Sequence, residues 1–405
     1  MLLSLQESYE QSLALLHQTG ERLSAKAATE STPQVIAARE GILTGLAALL
    51  SGEKALIGSF RKTLRSLATQ QAEMGQIPAT ITYDGPRAAP DYGSRSGQVD
   101  TVPWFIIGVC NFVHLQNDLR FLDEMLPHIH KGLNLMESWE FNNRGLMYVP
   151  QAGDWADEYV LHGYVLYDQL LRLWALRCVA ALTEDQKLRL KAEYLEEIIT
   201  VNYWPDAEHP GSRLVYHEAA CQRLLDKKGQ VHYWQAGFRP GGYDDRLDAW
   251  GNALAVLLQV GSHHKQHQVI NYLDQIGSSL PLQLVPQFYP PIQKFERGWD
   301  ELQENRKGDF RNHPHEHHNG GTWPLINAFA GMAYIAGGEQ GKASRLLASL
   351  GEACRGEHKG EEWAFAQSYN SQTGKPCGPG GQAMSAAAIV LLQKHLEGKS
   401  LWLGE

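Results

Sequence analysis

Apolar residues recur at intervals of three and four along most of this chain. Between about 160 and 180, Leu161, Val165, Leu166, Leu170, Leu173 and Trp174 fall on one helical stripe. Thr183-Glu-Asp-Gln186 then predicts a capping box for the next helix, over about 185–200. The same periodicity predicts helices at about 3–19, 34–49, 53–75, 101–118, 119–138, 247–260, 264–276, 323–336, 339–353 and 382–396. Strand-like alternation is scarce, so the expected fold class is all-α. About a dozen helices, with no interdomain linker, low-complexity segment or short-period repeat, predict one domain over residues 1–405 built as a closed double ring of helical hairpins.

Long connections rich in Gly, Pro, His and Trp separate these helices, at 79–100, 140–159, 201–212, 228–245, 279–318 and 355–381. Connections of that length are functional or disordered, and their aromatic content argues for the former: they should build a pocket at one end of the ring. The 405 residues are 43% hydrophobic and 20% charged, enough for a large core. A net charge of −9 supplies no basic face for nucleic acid. Charges interrupt every apolar stretch before it reaches membrane-spanning length, and the first ten residues lack a positive leader, so no membrane partner and a cytoplasmic location are expected. Cys110, Cys178, Cys221, Cys354 and Cys377 are widely spaced and show no CxxC pair, which predicts buried free thiols. A homo-oligomer is compatible with all of this.

Three constellations carry candidate chemistry. Gly153-Asp-Trp-Ala-Asp-Glu-Tyr159 leads into the segment of His162, Gly163 and Gln169. Its three carboxylates either support a helix N-terminus or provide a general acid with a raised pKa. His313-Pro-His-Glu-His-His-Asn-Gly-Gly-Thr-Trp-Pro324 does not have zincin spacing, so no metal is expected; the glycine pair suits a tight turn that brings polar groups to a ligand. In Arg239 through Asn252, Asp244, Asp245, Arg246 and Asp248 are expected to enter an amphipathic helix, as an ion-paired first turn or as a polar rim for sugar hydroxyls.

Five segments in matching order resemble the neutral and alkaline invertases, with related patterns in amylo-α-1,6-glucosidases and glucoamylases. They are Val99 through Ile107, Trp155-Ala-Asp157 through His162-Gly163, Arg246 through Asn252, His318-Asn-Gly-Gly-Thr-Trp-Pro324, and Tyr369 through Ser385. The resemblance covers about residues 97–396 and implies an (α/α)6 barrel that hydrolyses a small α-glucoside with inversion, sucrose being the leading candidate. It implies no cofactor, and a small carbohydrate as the partner. On this resemblance the general acid falls on Asp157, with Asp154 as the alternative. Asp100, Trp104, Trp155, His318, Asn319, Trp323 and Gln382 would hold the glucosyl unit, Arg246 the rim, and Tyr83 and Asp84 a substrate loop. Each also has a structural reading: Asp100 could cap the helix starting near Thr101, and Trp104 and Trp323 could be core.

The family's general base is a glutamate, and its position here holds Gln367. An amide cannot take a proton from water at neutral pH. Three accounts stand open: an exchange made to trap substrate, a base supplied instead by Glu361 or Glu362, or a carbohydrate-binding protein that has lost hydrolysis. A second departure is Asp157-Glu158-Tyr159, where invertases carry a basic Asp-Arg-Arg run, which exchanges positive charge for negative beside the acid.

Overall fold

Helices that are largely apolar around their circumference must be covered on most sides, and the described residues form six of them. In the computed structural model, which describes residues 2–24, 34–93, 95–206, 212–356 and 362–404, they form an inner ring. The inner helices are α2 (Ala38–Ser51), α4 (Thr101–Gln116), α6 (Leu166–Thr183), α9 (Ala249–Leu257), α12 (Pro324–Ala336) and α14 (Ala383–Leu396). Contacts run α2 to α4, α4 to α6, α6 to α9, α9 to α12, α12 to α14 and α14 back to α2, so the ring closes. All nine residues of α9 are buried, as is the run Thr101–Val113 of α4.

Helices with a single apolar stripe form the outer layer: α1 (Leu2–Ser24), α3 (Lys54–Thr69), α5 (Leu119–Ser138), α7 (Gln186–Tyr203), α10 (His263–Ser278) and α13 (Gln340–Arg355). In α3, for example, the buried positions Leu56, Phe60, Thr63, Leu64, Leu67 and Ala68 keep helical spacing. Two short helices, α8 (Glu218–Lys228) and α11 (Trp299–Glu304), lie in the connections. Close packing uses glycine: between the layers a Cβ at Gly45 would lie 1.9 Å from the Phe60 ring, and within the inner ring one at Gly331 would lie 2.5 Å from Leu392.

The connections carry small antiparallel sheets. One has the order β1 (Gln34–Ala37), β2 (Thr80–Asp84), β3 (Arg87–Asp91), with Ile36 opposite Ile81. The second runs β4 (Tyr164–Val165), β5 (Gln235–Arg239), β6 (Gly242–Asp248), β7 (Phe288–Tyr289); the third pairs β8 (Ser368–Tyr369) with β9 (Pro376–Cys377). Strands β1, β4 and β6 run directly into α2, α6 and α9, so these sheets set the position of inner-helix N-termini.

Several expectations need correction. Residues 34–37 and 164–165 are extended, and α6 starts only at Leu166, so His162 and Gly163 precede the helix. The capping box does not form: Thr183 closes α6 and donates its hydroxyl to the Val179 carbonyl, while Asp185 caps α7 by accepting from the N–H groups of Lys187 and Leu188. Asp244, Asp245 and Arg246 lie on β6, and Asp248 caps α9. Cys221 and Cys377 are half-buried, unlike the other three thiols. No helix among the described residues is long and apolar enough to cross a membrane.

Candidate functional site

Trp250 in the first turn of α9, Arg39 and Glu40 in that of α2, Pro324 to Ile326 in α12, and Met384 and Ser385 in α14 face one cavity of about 200 Å³. The cavity therefore sits at the N-terminal ends of the inner helices. Segments entering those helices complete its wall with Trp155, Asp157, His317, His318, Trp323, Gln367 and Gln382, together with Lys307 and Arg311.

The aromatic part of the wall is a mutually packed set. His318 stacks on Trp323 with ring centroids 5.3 Å apart and planes 9° apart, while Trp155 meets Trp323, His318 and Trp250 edge-on. The Trp323 indole N–H donates to the His317 carbonyl at 3.0 Å. Burial, reinforced by Arg311, pushes the His318 imidazole well below its ordinary range; burial and His318 do the same to His317, so both are neutral at neutral pH. The Gly320-Gly321 turn makes this geometry possible. Gly320 has φ +85°, and a Cβ on Gly321 would lie 2.4 Å from the His317 carbonyl oxygen. Asn319 is a strut within the same turn, bridging the backbone of Ile292 at 2.7 and 2.9 Å and reaching the Asn312 carbonyl. It does not line the cavity.

Charge returns to the site through tertiary structure. Asp157 pairs with Lys307 and accepts from the Gln98 amide at 3.3 Å, and the buried Glu158 accepts from Arg311 at 2.9 Å. The positive charge absent from the local Asp157-Glu158-Tyr159 run is thus supplied by the 305–312 segment.

Beneath the cavity lies a buried carboxylate group. The Arg39 guanidinium grips both oxygens of Asp100, at 2.6 and 2.8 Å, and the Tyr167 hydroxyl adds a third bond. Asp100 makes no cap bond and is closed off from the cavity, which corrects both readings made for it. Asp154 is buried with one oxygen on the Ala156 N–H and the other unpartnered among the described residues. Burial first, then Asp100 and Asp248, raise its carboxyl well above the ordinary range. Burial also pushes Asp168 well up and Asp248 up to about 6, although Asp248 accepts from the Trp250 and Gly251 N–H groups and from Gln287.

Other expected residues fall elsewhere. Trp104 is fully buried against Trp174, Trp250 and Phe329 and donates to Tyr167 at 2.8 Å, so neither ring face is open to a sugar. Tyr83 is partly buried on β2 and Asp84 is exposed at the adjacent hairpin turn; neither lines the cavity. Arg246 lines a separate cavity of about 430 Å³ with Arg239 and Asp244, and reaches the Pro290 carbonyl and Glu296. Glu362 is exposed and bonded to Arg355, away from the cavity, and Glu361 lies outside the described residues. Gln367 does face the cavity. Its Oε1 is buried without a partner among the described residues, and a Cβ on Gly378 would come within 2.5 Å of it. Gln382, at the N-cap position of α14, donates to the Gly380 carbonyl.

Sequence reasoning missed Arg39, Glu40, Trp250, Lys307, Arg311 and His317 as wall residues. Arg39 and Glu40 fall inside the helix expected over about 34–49, and Lys307, Arg311 and His317 inside the 279–318 connection, one of the six expected to build the pocket.

Known proteins resemble this chain in sequence and in fold. A family profile described as alkaline and neutral invertase matches residues 215–398. The chain is 24% identical over 393 residues to neutral/alkaline invertase 1, mitochondrial, of Oryza sativa subsp. japonica, an alignment covering 83% of this chain and 60% of that protein. It is 23% identical over 342 residues to alkaline/neutral invertase E, chloroplastic, of Arabidopsis thaliana, covering 71% and 54%. The chain thus spans less than two thirds of the length of these relatives. Among solved structures, a GH63 mannosylglycerate hydrolase from Thermus thermophilus in complex with glucose superposes with a TM-score of 0.63 at 11% identity, covering 95% of this chain and 99% of the other. A bacterial glucoamylase complexed with acarbose gives 0.56 at 15% identity, covering 91% and 50%. The resemblance to invertase-like glycoside hydrolases is therefore present in sequence, and the likeness to (α/α)6-barrel glycosidases in fold.

Proposed function

We propose that this invertase-like chain hydrolyses a small α-glucoside with inversion, sucrose being the leading candidate, in the cavity at the N-terminal ends of the inner ring. The observation that carries the reading is the meeting of Asp157 and Gln367, far apart in the chain, on the wall of one aromatic-lined cavity. Trp155, His318 and Trp323 offer apolar ring surfaces for a pyranose, and Gln382 offers an amide to its hydroxyls.

In this reading Asp157 protonates the departing glycosidic oxygen. Lys307 holds the Asp157 carboxylate in an ion pair at the edge of the cavity. Inversion requires a second group across the sugar, about 6.5–9.5 Å from the first, with water between them. Gln367 keeps the shape of a glutamate there but cannot accept the proton.

The test compares glucose release from sucrose, trehalose, isomaltose and glucosylglycerate by this chain and by Gln367→Glu. Restoring the glutamate should raise kcat on the true substrate, and Asp157→Asn should abolish the gain. Absence of turnover by either form on all four sugars would sink the hydrolase reading.

A further inference from the structure

The cavity wall carries two carboxylates among the described residues, Asp157 and Glu40, and the reaction outlined above uses only Asp157. Glu40 stands in the first turn of α2. Every other charged group on the wall is engaged: Arg39 with Asp100, Lys307 with Asp157, and Arg311 with Glu158. The Glu40 carboxylate has no hydrogen bond or ion pair among the described residues, although it is open to solvent in the cavity.

Ring order places it suitably. Asp157 lies in the segment that leads to α6, and three steps around the ring in either direction reach α14, whose entering segment carries Gln367. Helix α2 is the next inner helix after α14, so Glu40 flanks Gln367 on the neighbouring sector of wall.

We propose that Glu40 is the general base of this chain, taking over the step that Gln367 cannot perform. The proposal rests on the hydrolase reading above. Water held between Gln367 and Glu40 attacks the anomeric carbon, and its proton passes to the Glu40 carboxylate as the new C–O bond forms. The glycosidic C–O bond breaks, and its electron pair goes to the oxygen that Asp157 protonates. One proton is gained by Glu40 and one lost by Asp157, and exchange with solvent resets both.

Four proteins test this: the parent chain, Glu40→Gln, Gln367→Glu, and the double variant, each assayed for kcat and KM on the four sugars above. Thermal unfolding confirms that each is folded. The expected result is slow turnover by the parent, a kcat at least about 100-fold lower in Glu40→Gln with KM little changed, and recovery in the double variant, where position 367 again provides a base. An active Gln367→Glu beside an inactive parent overturns the role of Glu40 and leaves the hydrolase reading intact. A Glu40→Gln change that leaves the parent's kcat unaltered, or that impairs Gln367→Glu as strongly as the parent, also overturns it, the latter because Glu40 would then act on the sugar. Inactivity of all four on every sugar overturns both readings.

Discussion

Two tryptophans show how far apart residues of one type can stand in role. Trp104 has all its ring surface in the core and its N–H on Tyr167, whereas Trp323 stacks on His318 at the cavity wall. Trp104→Phe should therefore cost roughly 2 kcal/mol of stability, through lost packing and a stranded hydroxyl, with KM unchanged. Trp323→Phe in the Gln367→Glu background should raise KM about fivefold, the equivalent of roughly 1 kcal/mol of stacking. Chemical denaturation and steady-state kinetics on the two variants check both; equal KM effects would mean that the cavity wall is assigned wrongly.

At the scale of elements, the turn that enters α12 controls the wall more tightly than any one ring. The backbone of residues 315–322 folds back on itself, with the His315 N–H on the Asn319 carbonyl and the Thr322 N–H on the Tyr369 carbonyl. Gly321 sits inside this fold with no room for a Cβ. Gly321→Ala should displace the His317–His318 backbone, lower stability by about 1–3 kcal/mol and depress kcat/KM, whereas the same change at Gly338, which has φ +81° but open space around it, should alter stability only. Melting temperatures and kcat/KM of the two variants separate the effects.

Over the whole molecule, the ring is fastened at the end opposite the cavity. Trp402 exchanges backbone bonds with the Asn111 side chain of α4, accepts from the Trp174 indole of α6 and stacks on His114. His395 of α14 joins this closure as a neutral imidazole, with Nδ1–H donating to the Leu391 carbonyl and Nε2 accepting from the Leu401 N–H. Burial lowers its pKa from 6.5 to about 4. The unfolded chain therefore takes up this proton first as pH falls, so the contribution is complete above about 6.5 and lost as pH passes down through about 4. About 3 kcal/mol should disappear across that window, and His395→Gln should show a stability profile flatter by that amount in urea titrations at pH 7 and pH 4.

Most helices are legible along the chain because apolar spacing is a local property, whereas the extended ends at 34–37 and 164–165 and the short helix α8 depend on the packing of the connections. The sequence also marked Trp155, Asp157, His318, Trp323, Gln367 and Gln382, since each sits in a recognisable local motif. Tertiary structure alone decided which charges meet. Lys307 and Arg311 restore the positive charge missing beside Asp157, Arg39 claims Asp100 from its helix, and Glu40 is brought to the cavity because ring closure sets α2 beside α14. Those pairings span long sequence separations, and a pattern read along the chain carries no record of what lies across a ring.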